Sequence, residues 1–248
     1  GPLESALLNV TRPTATPQSL DSRGFRFADI NASLRWRSVD GSQVTLNGFA
    51  ASDRFEQRLG EDREGVVESY DELKKGAASA SGSVRWSRTW AGGLRTTTTL
   101  STSLYSNRVN NEHEEEVEGV GGESFAELRN DLEEYAARFE ADVPLGAAHA
   151  IRFGIGATRL DVDLRRLAGE DEREVDDAPA TGASNSGAAT TETLPSAFVQ
   201  DTWTLSPAVS LDLGLRSTWS EGQRRWSHGP RAAVRWAFHP AWSVTATG

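Results

Sequence analysis

Hydrophobic and polar residues alternate with a period of two along most of this sequence, the signature of strands whose two faces meet different surroundings. Ile30, Ala32, Leu34 and Trp36 interleave with Asn31, Ser33 and Arg35, and Val44, Leu46, Gly48 and Ala50 with Thr45, Asn47 and Phe49. Ala78 to Trp86 alternate with Ser79, Ser81, Ser83 and Arg85, and Leu100 and Leu104 share parity with Thr98 and Thr102. The same beat returns in Ile151 to Ala157, in Ala197, Val199 and Trp203, in Val209 to Leu215, in Ala232 to Phe238, and in Trp242, Val244 and Ala246. An all-β, antiparallel up-and-down chain is predicted. Its ten strands lie at about 25–37, 43–55, 76–89, 93–107, 131–143, 149–162, 194–204, 208–219, 229–238 and from 241 onwards, with Leu7 to Thr11 ending an earlier one.

Residues 124–142 fit two periods. Phe125, Leu128, Leu132, Tyr135 and Phe139 are spaced as on an amphipathic helix. Tyr135, Ala137, Phe139, Ala141 and Val143 also alternate with Glu134, Arg138, Glu140 and Asp142. The strand reading prevails because it completes the pairing on either side.

Connections are of two kinds that take turns. Short ones, rich in turn formers, follow Trp36 (Ser38 to Gly41), Trp90 (Ala91 to Gly93), Val143 (Pro144 to Gly146), Trp203 (Leu205 to Pro207) and Phe238 (His239 to Ala241). Between them lie three acidic stretches, 61–75, 108–133 and 163–192, which read as long solvated loops, and a shorter connection at Glu221 to His228. Up-and-down strands put every tight turn at one end of the sheet and every long connection at the other.

Such a sheet is either half of a soluble sandwich, with its apolar row inward, or the wall of a membrane barrel, with its apolar row on lipid. Three features favour the membrane. Small residues such as Ala32, Gly48, Ala80 and Gly82 recur in the apolar rows. Trp36, Trp86, Trp90, Trp203, Trp236 and Trp242 all lie beside the short turns, as membrane-interface aromatics would. The alternating runs match the roughly 9–11 residues a tilted strand needs to cross the hydrocarbon layer. The expected fold is therefore an incomplete arc of a transmembrane β-barrel, with short periplasmic turns and long extracellular loops, residues 1–248 being part of the barrel domain.

Composition narrows the chemistry. There is no Cys, hence no disulfide, thiolate nucleophile or Cys-type zinc site. No stretch approaches the roughly 20 apolar residues of a membrane helix. The net charge of −10 argues against nucleic acid as a partner. That charge is segregated: the three acidic stretches hold 23 of 36 acidic and 8 of 26 basic residues, a balance of −15 that leaves +5 elsewhere. No nucleophile elbow, phosphate loop or dinucleotide fingerprint is present, so no catalytic residue, cofactor or metal ligand is assigned. The four His, 113, 149, 228 and 239, read as loop or turn residues. The acidic runs Glu112 to Glu118 and Glu170 to Asp177 lack the Asp/Asn spacing of a calcium loop.

Ala197-Phe198-Val199-Gln200-Asp201-Thr202-Trp203-Thr204-Leu205-Ser206-Pro207 resembles a recurrent strand and turn of TonB-dependent outer-membrane receptors, and the likeness continues through Leu211 to Arg216, Gly229-Pro230-Arg231 and Trp242-Ser243. Ala28 to Asn31, Ser52 to Phe55 and His149 to Gly154 resemble earlier strands of the same barrels. The resemblance implies a barrel of roughly 22 strands closed by a plug. It further implies a bacterial outer-membrane location with lipid as a partner, and uptake of a scarce ligand (a metal chelate, cobalamin or oligosaccharide) using energy passed on by TonB. The plug, the TonB-contacting box and the final strands are expected to lie outside this chain, which has no Met and starts at Gly1. The rival readings are a passive porin-like barrel and a soluble ligand-binding or adhesive β-sandwich; ligand-binding residues are not legible.

Overall fold

The computed structural model describes residues 3–11, 23–63, 67–117, 120–173, 180–239 and 242–248. They form eleven antiparallel strands: β1 Leu3–Thr11, β2 Arg23–Arg37, β3 Ser42–Arg63, β4 Val67–Thr89, β5 Arg95–Val117, β6 Val120–Leu145, β7 His149–Arg173, β8 Ala180–Ser206, β9 Val209–Ser220, β10 Arg225–His239 and β11 Trp242–Thr247. All lie in one sheet in sequence order, and β1 and β11 are its two edges. The ten expected strands are present with β1 as the eleventh, and residues 124–142 are strand, within β6.

The tight turns follow from local chemistry. Gly41 takes the left-handed φ of 81° that an L side chain resists, and the Asp40 carboxylate accepts the Ser42 N–H at 3.0 Å. A 3₁₀ turn at Ala91–Gly93 joins β4 to β5, with Gly92 and Gly93 at φ 78° and 80°. The Ser206 hydroxyl accepts the N–H groups of Ala208 and Val209 between β8 and β9. Of the short connection at His239 to Ala241, Pro240 and Ala241 lie outside the described residues.

The opposite end departs from expectation. The described parts of the three acidic stretches are strands, so the long connections are tall hairpins. The β3–β4 ladder runs unbroken from Ser42↔Arg88 to Arg63↔Val67. The β5–β6 ladder continues to Val117↔Val120, and even the Gly-, Ser- and Ala-rich segment 180–192 stays paired with β7. A partner strand supplies hydrogen bonds to the backbone groups that face it, and that outweighs the weak β propensity of Gly, Ser and Asn. Residues 64–66, 118–119 and 174–179 of these stretches lie outside the description.

No dry core exists among the described residues. Ala141, at 3 % exposure, is the one buried hydrophobic side chain, while Leu100, Ile155 and Leu213 are 54 %, 63 % and 49 % exposed. A sheet folding in water alone would need a second layer on its apolar row.

Candidate functional site: the two faces of the sheet

Residues directly opposite each other in the ladders share a face, so register fixes the two surfaces. Trp36, Val44 and Trp86 lie on one rung, continued by Thr98, Phe139, Ile155 and Ala197. We call this the tryptophan face. Ser33, Asn47, Ser83 and Ser101 share a rung on the other side, the hydroxyl face.

The six predicted tryptophans gather at the tight-turn end. Trp36 is one residue from the end of β2; Trp86, Trp203 and Trp236 are each three from the ends of β4, β8 and β10; Trp242 opens β11 and Trp90 sits in the turn. The Trp90 indole N–H donates to the Thr96 hydroxyl at 2.9 Å, and the Arg88 guanidinium lies 4.2 Å over its ring. His149 stacks on Trp203 at 5.4 Å.

A second aromatic level was not anticipated from the sequence. Tyr135 and Trp219 lie on the tryptophan face ten residues from the tight-turn ends of β6 and β9, and Trp226 pairs with Trp219, ring centroids 5.6 Å apart. Its signal was an aromatic row about one membrane crossing from the turns. Between the two levels the described ionisable groups of this face are His149 and Asp201, which pair with each other at 2.7 Å, and His228, which stacks on Trp226 and shares a hydrogen bond with Ser217. Over the same height the hydroxyl face carries Arg35, Arg85, Arg138, Arg152, Asp212 and Arg216 among its charges, with Arg152 bonded to Asp142.

Beyond that height the two faces exchange character. The tryptophan face becomes a belt of ion pairs: Arg54–Glu56, Arg58–Glu72, Arg108–Glu127, Arg129–Asp131, Arg159–Asp161 and Arg165–Asp163, at 2.6–3.4 Å. Glu72, its side chain 6 % exposed, sits between Lys74 and Arg58, and the ammonium first, then the guanidinium, holds its carboxyl below the usual range. The Ser106 hydroxyl and Arg129 do the same for Asp131. Large apolar groups move to the hydroxyl face, where Phe25, Phe55, Val109 and Leu128 share one rung with Lys75 and Arg166.

At mid-height the hydroxyl face holds a trough of about 520 Å³ lined by Asn31, Ser33, Asn47, Ser81, Ser83, Ser101, Ser103 and Glu134. The Ser33 hydroxyl donates to Asn47 Oδ1 at 3.0 Å and the Asn47 amide to Ser83 at 3.2 Å. Such a lining offers hydrogen bonds to a polar guest. Among the described residues no three metal-ligating side chains meet. The His residues depart from expectation: His113 and His228 are inside β5 and β10, and His149 and His239 begin and end strands. His113 is held by Asp71 and His228 by Ser217; cross-strand bonding, not loop exposure, accounts for these positions.

The sequence matches the family described as TonB dependent receptor-like, beta-barrel, over residues 14–247. The chain belongs to this family. The sheet of this receptor barrel is similar to the RagAB peptide importer in its closed-closed state, with a TM-score of 0.61 and 9 % identity over 87 % of this chain and 30 % of that one. The open-open state gives 0.63 at 8 % identity over the same shares. The siderophore receptor PiuA from Acinetobacter baumannii gives 0.51 at 12 % identity, over 98 % of this chain and 41 % of that one. These likenesses are of fold, and the chain spans less than half of each neighbour's length. No curated protein matches the sequence. Family membership sets aside the soluble sandwich.

Proposed function

We propose that the chain is a barrel wall segment of an outer-membrane receptor that takes up a scarce ligand with energy delivered through TonB. In this reading the tryptophan face meets lipid between its two aromatic levels, the hydroxyl face lines a wet interior, the tight turns are periplasmic and the tall hairpins stand outside the cell. The six tryptophans form the periplasmic interface belt, with Tyr135, Trp219 and Trp226 at the far boundary. The observation that carries this is the exchange of polarity between the faces about ten residues from the turns, the length of one tilted hydrocarbon crossing.

Lipid offers no partners to an open sheet edge, so further strands of the same protein pair with β1 and β11, and a plug fills the interior and contacts TonB. The ligand is a nutrient held between hairpins and plug; one structural neighbour imports peptides and another is a siderophore receptor, so the ligand class extends from metal chelates, cobalamin and oligosaccharides to peptides. Two experiments test the proposal on the intact receptor. Brominated lipid is expected to quench the tryptophan emission, and unchanged emission would contradict the face assignment. Uptake is expected to stop when TonB is deleted; uptake that persists would make the barrel a passive pore.

A further inference from the structure

β8 rises far above the strand that follows it. It runs from Ala180 to Ser206, while β9 pairs with it only between Ser206↔Val209 and Ser196↔Thr218 and ends at Ser220. The β9–β10 turn closes just above this point: the Ser220 hydroxyl donates to the Glu192 carboxylate, and a Cβ on Gly222 would stand 3.6 Å from the same oxygen. Beyond Glu192, the twelve residues Ala180 to Thr191 pair with Glu172 to Asp161 of β7 without a register shift. Among the described residues no strand lies on their other side, and Ala183 to Thr191 are all exposed.

An antiparallel strand turns the N–H and C=O of every second residue away from its partner, so this edge presents about six residues with unpaired donors and acceptors. Thr191 stands fifteen residues above the tight-turn end of β8, past one hydrocarbon crossing, and the edge climbs from there. Open edges in folded proteins are blunted by charge, proline, bulges or a covering element. The segment ATGASNSGAATT holds no charged, proline or aromatic residue, and its ladder holds no bulge. Its small side chains let another backbone come close. The seat above the β9–β10 turn is where a taller β9 would lie, and the chemistry that completes a strand edge is a second extended backbone.

We propose that residues 180–191 of β8 bind an extended peptide ligand by strand addition. Recognition runs through the main chain, so many sequences fit, and small side chains leave the register loosely set. The inference rests on the tall hairpins standing outside the cell; labelling Asn185→Cys on whole cells with a maleimide too large for porins tests that part separately. Hydrogen exchange and binding are measured on the intact receptor in detergent with one probe in two forms. The first is a twelve-residue peptide of alternating threonine and valine with lysine at each end; the second is the same peptide N-methylated at every residue. The plain peptide is expected to slow amide exchange across 180–191 at least about tenfold. It is expected to bind at least about a hundredfold more tightly than the methylated form, which keeps the side chains and has lost the backbone donors. This comparison needs no variant to fold. Failure of the plain peptide to bind, equal binding of the two forms, or binding that leaves 180–191 unprotected would each overturn the proposal. So would protection of 180–191 that grows with receptor concentration in the absence of peptide, because the edge would then serve a second copy of the chain.

Discussion

The lower ten residues of β5 to β7 and their upper ten are built from the same ladders, yet they obey opposite rules. In the lower part Leu100, Phe139 and Ile155 point to the tryptophan face and Ser101, Arg138 and Arg152 to the other; in the upper part Asp131, Arg129 and Arg165 take the tryptophan face while Leu128, Leu132 and Leu164 take the hydroxyl face. The backbone does not change at the boundary. What changes is the solvent that each face is written for. In the proposed reading one face meets hydrocarbon and then water, and the other a hydrated interior and then a partly apolar lining between the hairpins.

That contrast can be broken most severely at mid-height. Ile155→Arg is expected to destabilise the folded barrel by about 2–4 kcal/mol in bilayers, whereas Ser106→Arg, on the same face but near the boundary, is expected to cost at most about 1 kcal/mol. Urea titration of the reconstituted receptor measures both. An Ile155→Arg change as mild as Ser106→Arg would indicate water on both faces, since Ile155 is already 63 % exposed. Next in size is Gly154→Val on the hydroxyl face. A Cβ there would stand 2.6 Å from both the Phe139 carbonyl and the Phe198 ring, so about 1–3 kcal/mol is expected from the same titration.

The belt gives a smaller effect with a definite sign in pH. Because the folded carboxyl of Glu72 titrates below its unfolded value, the Arg58–Glu72–Lys74 cluster stabilises the β3–β4 hairpin above the ordinary glutamate range, and that contribution is lost as pH falls through the folded value. Amide exchange of residues 67–75 is expected to accelerate on acidification, and Glu72→Gln to remove that dependence at a cost on the order of 1 kcal/mol. Smallest of all, Asp40→Ala deletes the carboxylate that accepts the Ser42 N–H, and a slight fall in the unfolding midpoint, smaller than that of Glu72→Gln, is expected in the same urea assay.

Much of the sheet was legible because alternation is a local signal: Ala78 to Trp86 declare two faces without any knowledge of their neighbours. The hairpin extensions were not, because Thr181 to Thr191 carry no strand signal of their own and are paired only because β7 lies alongside. The helical spacing of Phe125, Leu128, Leu132, Tyr135 and Phe139 now has a cause. Its four-residue steps stay on one face, and its three-residue steps are crossings, the step from Leu132 to Tyr135 being the polarity exchange itself. The unpaired edge of β8 was equally hidden, since it appears only once β9 is known to stop at Ser220. The ligand's contacts stay unread, because function in such barrels resides in side chains that differ from one receptor to the next.

A spin-label scan along β6 of the reconstituted receptor addresses the polarity exchange most directly, using collision with dissolved oxygen against a water-soluble nickel chelate. Positions 135, 137, 139 and 141 are expected to favour oxygen, and 133, 131 and 129, on the same face, to switch to the nickel chelate. Labels at 135 to 141 shielded from both reagents, or oxygen preference continuing unbroken through 129, would contradict the account.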